Sequence, residues 1–225
     1  MGVFPRLLPN AMNTDRAPDQ DGLSRRPLTL QFKGGRNYLH GTDFFEALAS
    51  HSRELVGEAI EEFSMTIHRI VRHQPDLVWS GIGRHPPPRS ATAAVEFAAS
   101  GPEGAFSGWL EETSRSVSGR YPYDEDALGT CCELRQNSIA CSVQHGFSPI
   151  EAIVAANKLL HQHLFRSVGG RWMFTKLVLR RWLRNSDSAA LELVLLGHLH
   201  KRLTRSEIRS GGEMIGLIFF SVVTQ

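Results

Sequence analysis

His40-Gly41-Thr42-Asp43-Phe44-Phe45-Glu46-Ala47-Leu48 reads as the opening of a long helix. Thr42 is placed to cap it, and Asp43 and Glu46 fall in the first turn, where the helix dipole favours acids. Phe44, Leu48 and Leu55 share one face, with Phe45 and Ala59 beside them, so the helix is expected to run to about Glu61. Upstream, Leu28-Thr29-Leu30-Gln31-Phe32 alternates as a strand does, and Lys33-Gly34-Gly35-Arg36 follows as a turn. Residues 1–26, rich in Pro, Asn, Asp and Arg and without apolar period, read as a flexible leader.

Downstream, strands are expected from Met65 to Val71, Leu77 to Trp79, Ala91 to Ala98 and Ala105 to Leu110. A proline-rich loop from Gly81 to Ser90 interrupts them. The plan then restarts. Asp124 to about His145 reads as a second long helix, with Leu128, Cys131 or Cys132, Arg135, Ile139 and Val143 along one stripe. Gly146 stands as its terminator, with Pro149 just beyond. Further strands are expected at Ile150 to Ala156, Trp172 to Trp182, Ala189 to His200 and Met214 to Val223. Glu151 to Leu164 is equally open to a helical reading.

Each half thus gives a long helix and then four strands. Glu46–Ser50 in the first helix echoes Cys132–Gln136 in the second, and a Met-led strand follows each, at Met65 and Met173. The expected fold class is α+β, a double hotdog: two fused halves, 27–118 and 119–225, each a long helix wrapped by an antiparallel sheet. Pairing the sheets edge to edge would remove exposed edges.

The bulk numbers exclude several classes. A net charge of +2 spread over 225 residues gives no basic patch, so no nucleic-acid partner is expected. Met1–Asn10 lacks the apolar core of a signal peptide, and no apolar run is long enough to span a membrane, which points to a cytoplasmic protein. Three cysteines, Cys131, Cys132 and Cys141, crowd one segment. They read as no disulfide framework, and suggest a reducing compartment. No Cys-x-x-Cys occurs and the histidines form no zinc-like group, so no metal is expected.

The second expected helix holds Glu133-Leu134-Arg135-Gln136 and then His145-Gly146-Phe147-Ser148-Pro149. Here the chain resembles the A-factor biosynthesis hotdog family, linked to γ-butyrolactone signal synthesis. That family carries Glu-x-x-Arg-Gln on a helix, followed by a His and a Gly-x-Pro turn. Arg135, Gln136, His145, Gly146 and Pro149 fit, the last with one extra residue. The acid departs from the pattern, because Cys132 stands three before Arg135 and Glu133 is one place late. In the first half the acid position is Glu46, while Ala49 and Ser50 fill the Arg-Gln positions. The resemblance implies transfer of a β-ketoacyl group from an acyl carrier to glycerone phosphate, with Glu46 and Arg135 as complementary survivors at one cleft. A carboxylate there would serve as general base, and an Arg would hold a phosphate or polarise a carbonyl. Gln136, Glu133 and His145 join the substrate-binding set. The plainer account of Arg135 is an ion pair with Glu133 or Asp126.

His40 and Asp43 form a second candidate pair. In folds of this type the loop entering the central helix lines the thioester site, and the helix start offers free N–H groups to a carbonyl. His40 would polarise or protonate, and Asp43 would act as a base; a cap and a dipole partner is the plainer account of Thr42 and Asp43. Lys33, Arg36, Arg84 and Arg89 are loop cations available to coenzyme A or carrier-arm phosphates. No cofactor is expected beyond phosphopantetheine or coenzyme A carrying the substrate. The partner is then an acyl carrier protein or acyl-CoA, and the reading leaves room for a homo-oligomer. Three activities stay open: acyl transfer, a hotdog hydrolase or dehydratase, and a non-catalytic acyl-binding or assembly subunit.

Overall fold

A computed structural model describes residues 22–83, 91–143 and 146–223. Helix α1, Gly41–Val56, starts close to where expected but stops about five residues short of Glu61, so Ala59 lies beyond it. Its N-cap is His40 rather than Thr42, and Gly57, at φ 77°, ends it by donating its N–H to the Arg53 carbonyl. Two strands precede it: β1, Leu23–Pro27, and β2, Phe32–Lys33. β1 begins inside the segment expected to be a leader. Arg25 reaches Asp76 and Glu111, and Arg26 reaches Glu54, which fasten that strand down. The rest of the leader, residues 1–21, lies outside the described residues, as do residues 84–90 of the proline loop.

After α1 come β3, Glu62–Ile67, β4, Pro75–Ser80, β5, Ala93–Gly101, and β6, Gly104–Glu112. The short β7, Arg120–Tyr121, follows and pairs in parallel with β2.

The second helix is where sequence and structure part. Asp126–Cys131 is a 3-10 turn, and Cys132–Leu134 (β8) and Ser138–Cys141 (β9) form a hairpin. The apparent stripe was coincidental. Ile139 and Cys141 alternate as strand residues do, and β9 pairs with the later strand Leu191–Leu199 in the register Leu193↔Ile139 and Leu191↔Cys141. The hairpin sets Cys132 opposite Cys141, and a disulfide joins them, leaving Cys131 free and exposed. That corrects the reading of these cysteines as offering no disulfide, and with it the inference of a reducing compartment.

The true helix α2 is Pro149–Leu164, over the stretch also expected to begin with a strand. A capping box starts it: Ser148 accepts from the Glu151 N–H, the Glu151 carboxylate accepts from the Ser148 N–H, and Pro149 occupies the first turn. Then follow β10, Arg171–Leu179, β11, Leu191–Leu199, β12, Leu203–Ser210, and β13, Glu213–Val223.

Among the described residues eleven strands make one antiparallel sheet, ordered β1-β4-β6-β5-β3-β10-β13-β12-β11-β9-β8. Its midline is the β3–β10 pair, with fully buried Met65 opposite fully buried Leu177. α1 buries Phe44, Phe45, Leu48 and Val56, and Phe45 meets Phe63 edge to face at 5.6 Å. α2 buries Ile150, Ile153, Val154 and Leu160, with Ala152, Ala155 and Ala156 between them. No helix among the described residues is long and apolar enough to cross a membrane.

His161 on α2 is fully buried, stacked on Phe220 and set against Trp172 and Phe165. Burial pushes its pKa down to about 4, against which its bond to the Asn157 carbonyl acts weakly. The unfolded chain binds this proton near 6.5 and the folded chain only near 4. Stability is therefore complete above about pH 6.5 and falls as pH drops toward 4, by roughly 3 kcal/mol from this group. Denaturant titrations across that range on wild type and His161→Phe should show this component of the slope only in the wild type.

Candidate functional site

Lys33 is the charged residue at the centre of the site, and it is wholly buried. β2 pairs with β7 so that Lys33 lies beside Tyr121. Its ammonium meets Thr42 Oγ1 at 2.7 Å, Glu151 Oε1 at 2.8 Å and Asp43 Oδ1 at 2.9 Å. An ammonium has three N–H donors, and each has an acceptor here. Asp43 and Glu151 hold the same place, the third residue of α1 and of α2. One cation thus ties the starts of both helices together. Two carboxylates against one ammonium leave an excess of negative charge, which the positive ends of two helix dipoles offset. Tyr121 donates to Asp43 Oδ1 at 2.6 Å, and the Tyr123 ring lies 4.8 Å from the Lys33 nitrogen.

Thr42 follows His40 into the helix and turns its hydroxyl inward. His40 Nδ1 lies 2.8 Å from Thr42 Oγ1. Burial holds the His40 pKa well below its usual value, and the nearby charges of Lys33, Arg36 and Lys158 push the same way. At neutral pH the ring is uncharged.

His40 lines a cavity of about 650 Å³. Its walls come from the loop before α1, the end of β3, one face of α2 and the facing ends of β10 and β13. Phe44, Ile67, Val154, Trp172, Phe174 and Phe220 make much of it apolar. Gly41 sits where a Cβ would stand 2.7 Å from Ile67 Cδ1 and 2.8 Å from Phe174 Cδ1, so only glycine lets the helix start approach this wall. Arg36, from the loop, and Lys158, one turn beyond Val154, both reach Glu125 Oε2, at 2.8 and 2.5 Å. Glu125 is the only acid among the described lining residues, and both its contacts are with cations. Arg171 lines the same cavity and its side chain is exposed. Cations therefore outnumber acids around the cavity.

The structure brings together four of the residues expected from sequence: Lys33, Arg36, His40 and Asp43. Asp43 differs in detail, because Oδ1 is engaged by Lys33 and Tyr121, Oδ2 is buried, and the residue does not line the cavity. The remaining candidates lie elsewhere. Glu46 is exposed on the outer side of α1. Glu133, Arg135 and Gln136 belong to the β8–β9 hairpin and are exposed, with Arg135 paired to Glu133 at 3.1 Å and to Glu192 at 3.4 Å. Glu46 and Arg135 do not meet at this cavity, since the helix meant to carry Arg135 does not form. His145, Arg84 and Arg89 lie outside the described residues. Sequence reasoning missed Glu151, Tyr121, Tyr123, Glu125 and Lys158. Only Glu151 had a readable signal, the Ser148-Pro149-x-Glu151 capping box.

No family model matches the chain, and no curated protein matches it. Solved structures do. A pyran synthase domain from module nine of the sorangicin pathway aligns over 92% of this chain and 96% of its own, at 12% identity and a TM-score of 0.51. A bifunctional dehydratase-cyclase domain in ambruticin biosynthesis aligns over 89% and 91%, at 18% identity and a TM-score of 0.42. An acyl-ACP thioesterase from Bacteroides thetaiotaomicron aligns over 90% and 98%, at 8% identity and a TM-score of 0.42. At these identities the likeness is one of fold, and it rests on the first of the three. That alignment and the long antiparallel sheet with its two helices fit a hotdog fold.

Removing the charge that joins the helices should be costly. Lys33→Met leaves two carboxylates buried without their cation and is expected to lower stability by about 3–5 kcal/mol. Adding Asp43→Asn and Glu151→Gln to that variant should recover part of the loss. Chemical denaturation of the single and triple variants measures both.

Proposed function

We propose that this chain acts on an acyl thioester held in the cavity at the start of α1. The observation that carries the reading is a buried, uncharged His40 on a cavity that has both an apolar wall and a cationic rim and that includes a helix N-terminus. A thioester carbonyl placed there would meet the His40 ring and the N–H of Gly41, the first-turn residue that lines the cavity ahead of the Asp43 and Phe44 N–H groups already bonded to the His40 carbonyl. The acyl chain would lie against Phe174, Trp172 and Phe220. An acyl carrier protein or coenzyme A would deliver it on a phosphopantetheine arm.

The reaction favoured is acyl transfer. Arg36 and Lys158 stand where a second, anionic molecule such as a phosphorylated acceptor would be held, displacing their contact with Glu125. Transfer to a hydroxyl and hydrolysis alike need a base for the nucleophile's proton, and the one described acid of the cavity is engaged by two cations. An acceptor anion that draws Arg36 and Lys158 away frees Glu125 to take that proton, which favours transfer. The same observation favours a second reading, an acyl-binding subunit without catalysis.

The chain is also read as a double hotdog, with halves 27–118 and 119–225. In each half a strand that precedes the helix (β1, β9) pairs with the second strand after it (β4, β11), with β8 lying beyond β9 and β2 in a separate small sheet. The first strand after each helix lies at the midline (β3, β10). Both helices have 16 residues and carry their Lys33 partner at the third. The two middle strands run in opposite order, β6-β5 against β12-β13, so the halves have diverged.

Thiol release from a panel of acyl-CoA and acyl-carrier thioesters, with and without phosphorylated acceptors, tests the reading. Release only with acceptor is expected. Release without acceptor would make the protein a hydrolase. Binding without release would leave the acyl-binding subunit, and no binding at all would remove the thioester reading. Where turnover is seen, His40→Gln should lower it by about 100- to 1,000-fold. Arg135→Ala, remote from the cavity, should leave it unchanged.

A further inference from the structure

Resting on the thioester reading, we infer that Lys33 and Thr42 are positioning residues that fix the tautomer of His40. They place the ring proton on Nε2, so that the cavity meets a hydrogen-bond donor and not a basic lone pair. The inference comes from counting protons. The Lys33 ammonium can only donate, and its three protons go to Thr42, Asp43 and Glu151. Thr42 Oγ1 therefore accepts from Lys33, and its own proton needs a different acceptor. Thr42 is fully buried, so water does not supply one. Among the described residues His40 Nδ1, 2.8 Å away, is the acceptor in reach.

The opposite tautomer, with Nδ1–H donating to Thr42, would strand the hydroxyl proton inside the protein. A buried donor without a partner is disfavoured. Protonating both ring nitrogens is disfavoured as well, by burial and by Lys33, Arg36 and Lys158. The one arrangement that satisfies every group leaves Nε2–H as the free polar end of a residue that lines the cavity. His40 then stabilises negative charge developing on a carbonyl oxygen. It is not set up to remove a proton from a substrate carbon or an acceptor hydroxyl.

Lys33 acts through Thr42 and does not touch the cavity; it does not appear among the lining residues. The tautomer can be read directly, without substrate, from two-bond nitrogen–proton correlation spectra of the histidine rings. His40→Gln identifies the signal to follow. The expected result at neutral pH is the Nε2–H pattern for His40 in the wild-type protein. Thr42→Ser, which keeps the hydroxyl, should preserve it. Thr42→Val, which keeps shape and removes the hydroxyl, should shift the ring toward the other tautomer or a mixture. A wild-type spectrum of the Nδ1–H form would overturn the inference even if Thr42→Val failed to fold. So would an unchanged Nε2–H pattern in folded Thr42→Val. Because no thioester is present, a failure of thioester binding and a failure of this inference are separate results.

Discussion

One ammonium holds the two helix starts of this protein together. Taking Lys33 out of water costs several kcal/mol, and so does burying Asp43 and Glu151 beside it. The three together are tolerable because every Lys33 proton has an acceptor and both carboxylates sit at helix N-termini. The consequences spread outward. β2 is only two residues long, yet its Lys33 fixes the loop that follows, and that loop forms one wall of the cavity. Glu151 cannot shift without loosening its own capping box, so α2 is held in both position and direction.

The same charge shapes the chemistry. His40 lies close enough to Lys33, Arg36 and Lys158 that their fields add to burial, and the ring stays uncharged. Burial and neighbouring cations also act against one another at Tyr123, where burial and Glu125 prevail over Arg36 and keep the phenol protonated. With the His40 proton on Nε2, as inferred above, what faces the cavity is a neutral donor, with cations a few residues away and an apolar wall on one side. Such an arrangement stabilises an oxyanion and binds an anion better than it abstracts a proton.

Much of this was legible in the sequence, for local reasons. α1 was readable because Phe44, Leu48 and their neighbours mark one face, but its end was not: the stop at Gly57 was passed over and the helix was expected to reach about Glu61. The strands from β3 to β6 and β10, β11 and β13 fall on apolar-rich runs, alternating in β3 and near-continuous in β4 and β13. β12 does not, since its buried positions are Thr204, Ser206 and Ile208, two of them polar. The second helix was misplaced because Leu128, Cys132, Arg135 and Ile139 mimic a helical period by chance. Gly129 and Thr130 argue against a helix there, and the capping box at Ser148 is the stronger start signal. The site was half legible. His40, Lys33 and Arg36 were singled out as residue types near a helix start. That Lys33 would be buried against Glu151, more than a hundred positions away, is a property of tertiary packing with no trace in local pattern.

The central claim is that the substrate occupies the cavity bounded by the start of α1 and the face of α2. Hydrogen–deuterium exchange with a non-hydrolysable acyl-pantetheine analogue tests this most directly. Protection is expected in peptides covering residues 35–44, 154–158 and 171–175, with the β8–β9 hairpin unaffected. Protection centred on residues 132–141, with none at the start of α1, would contradict it.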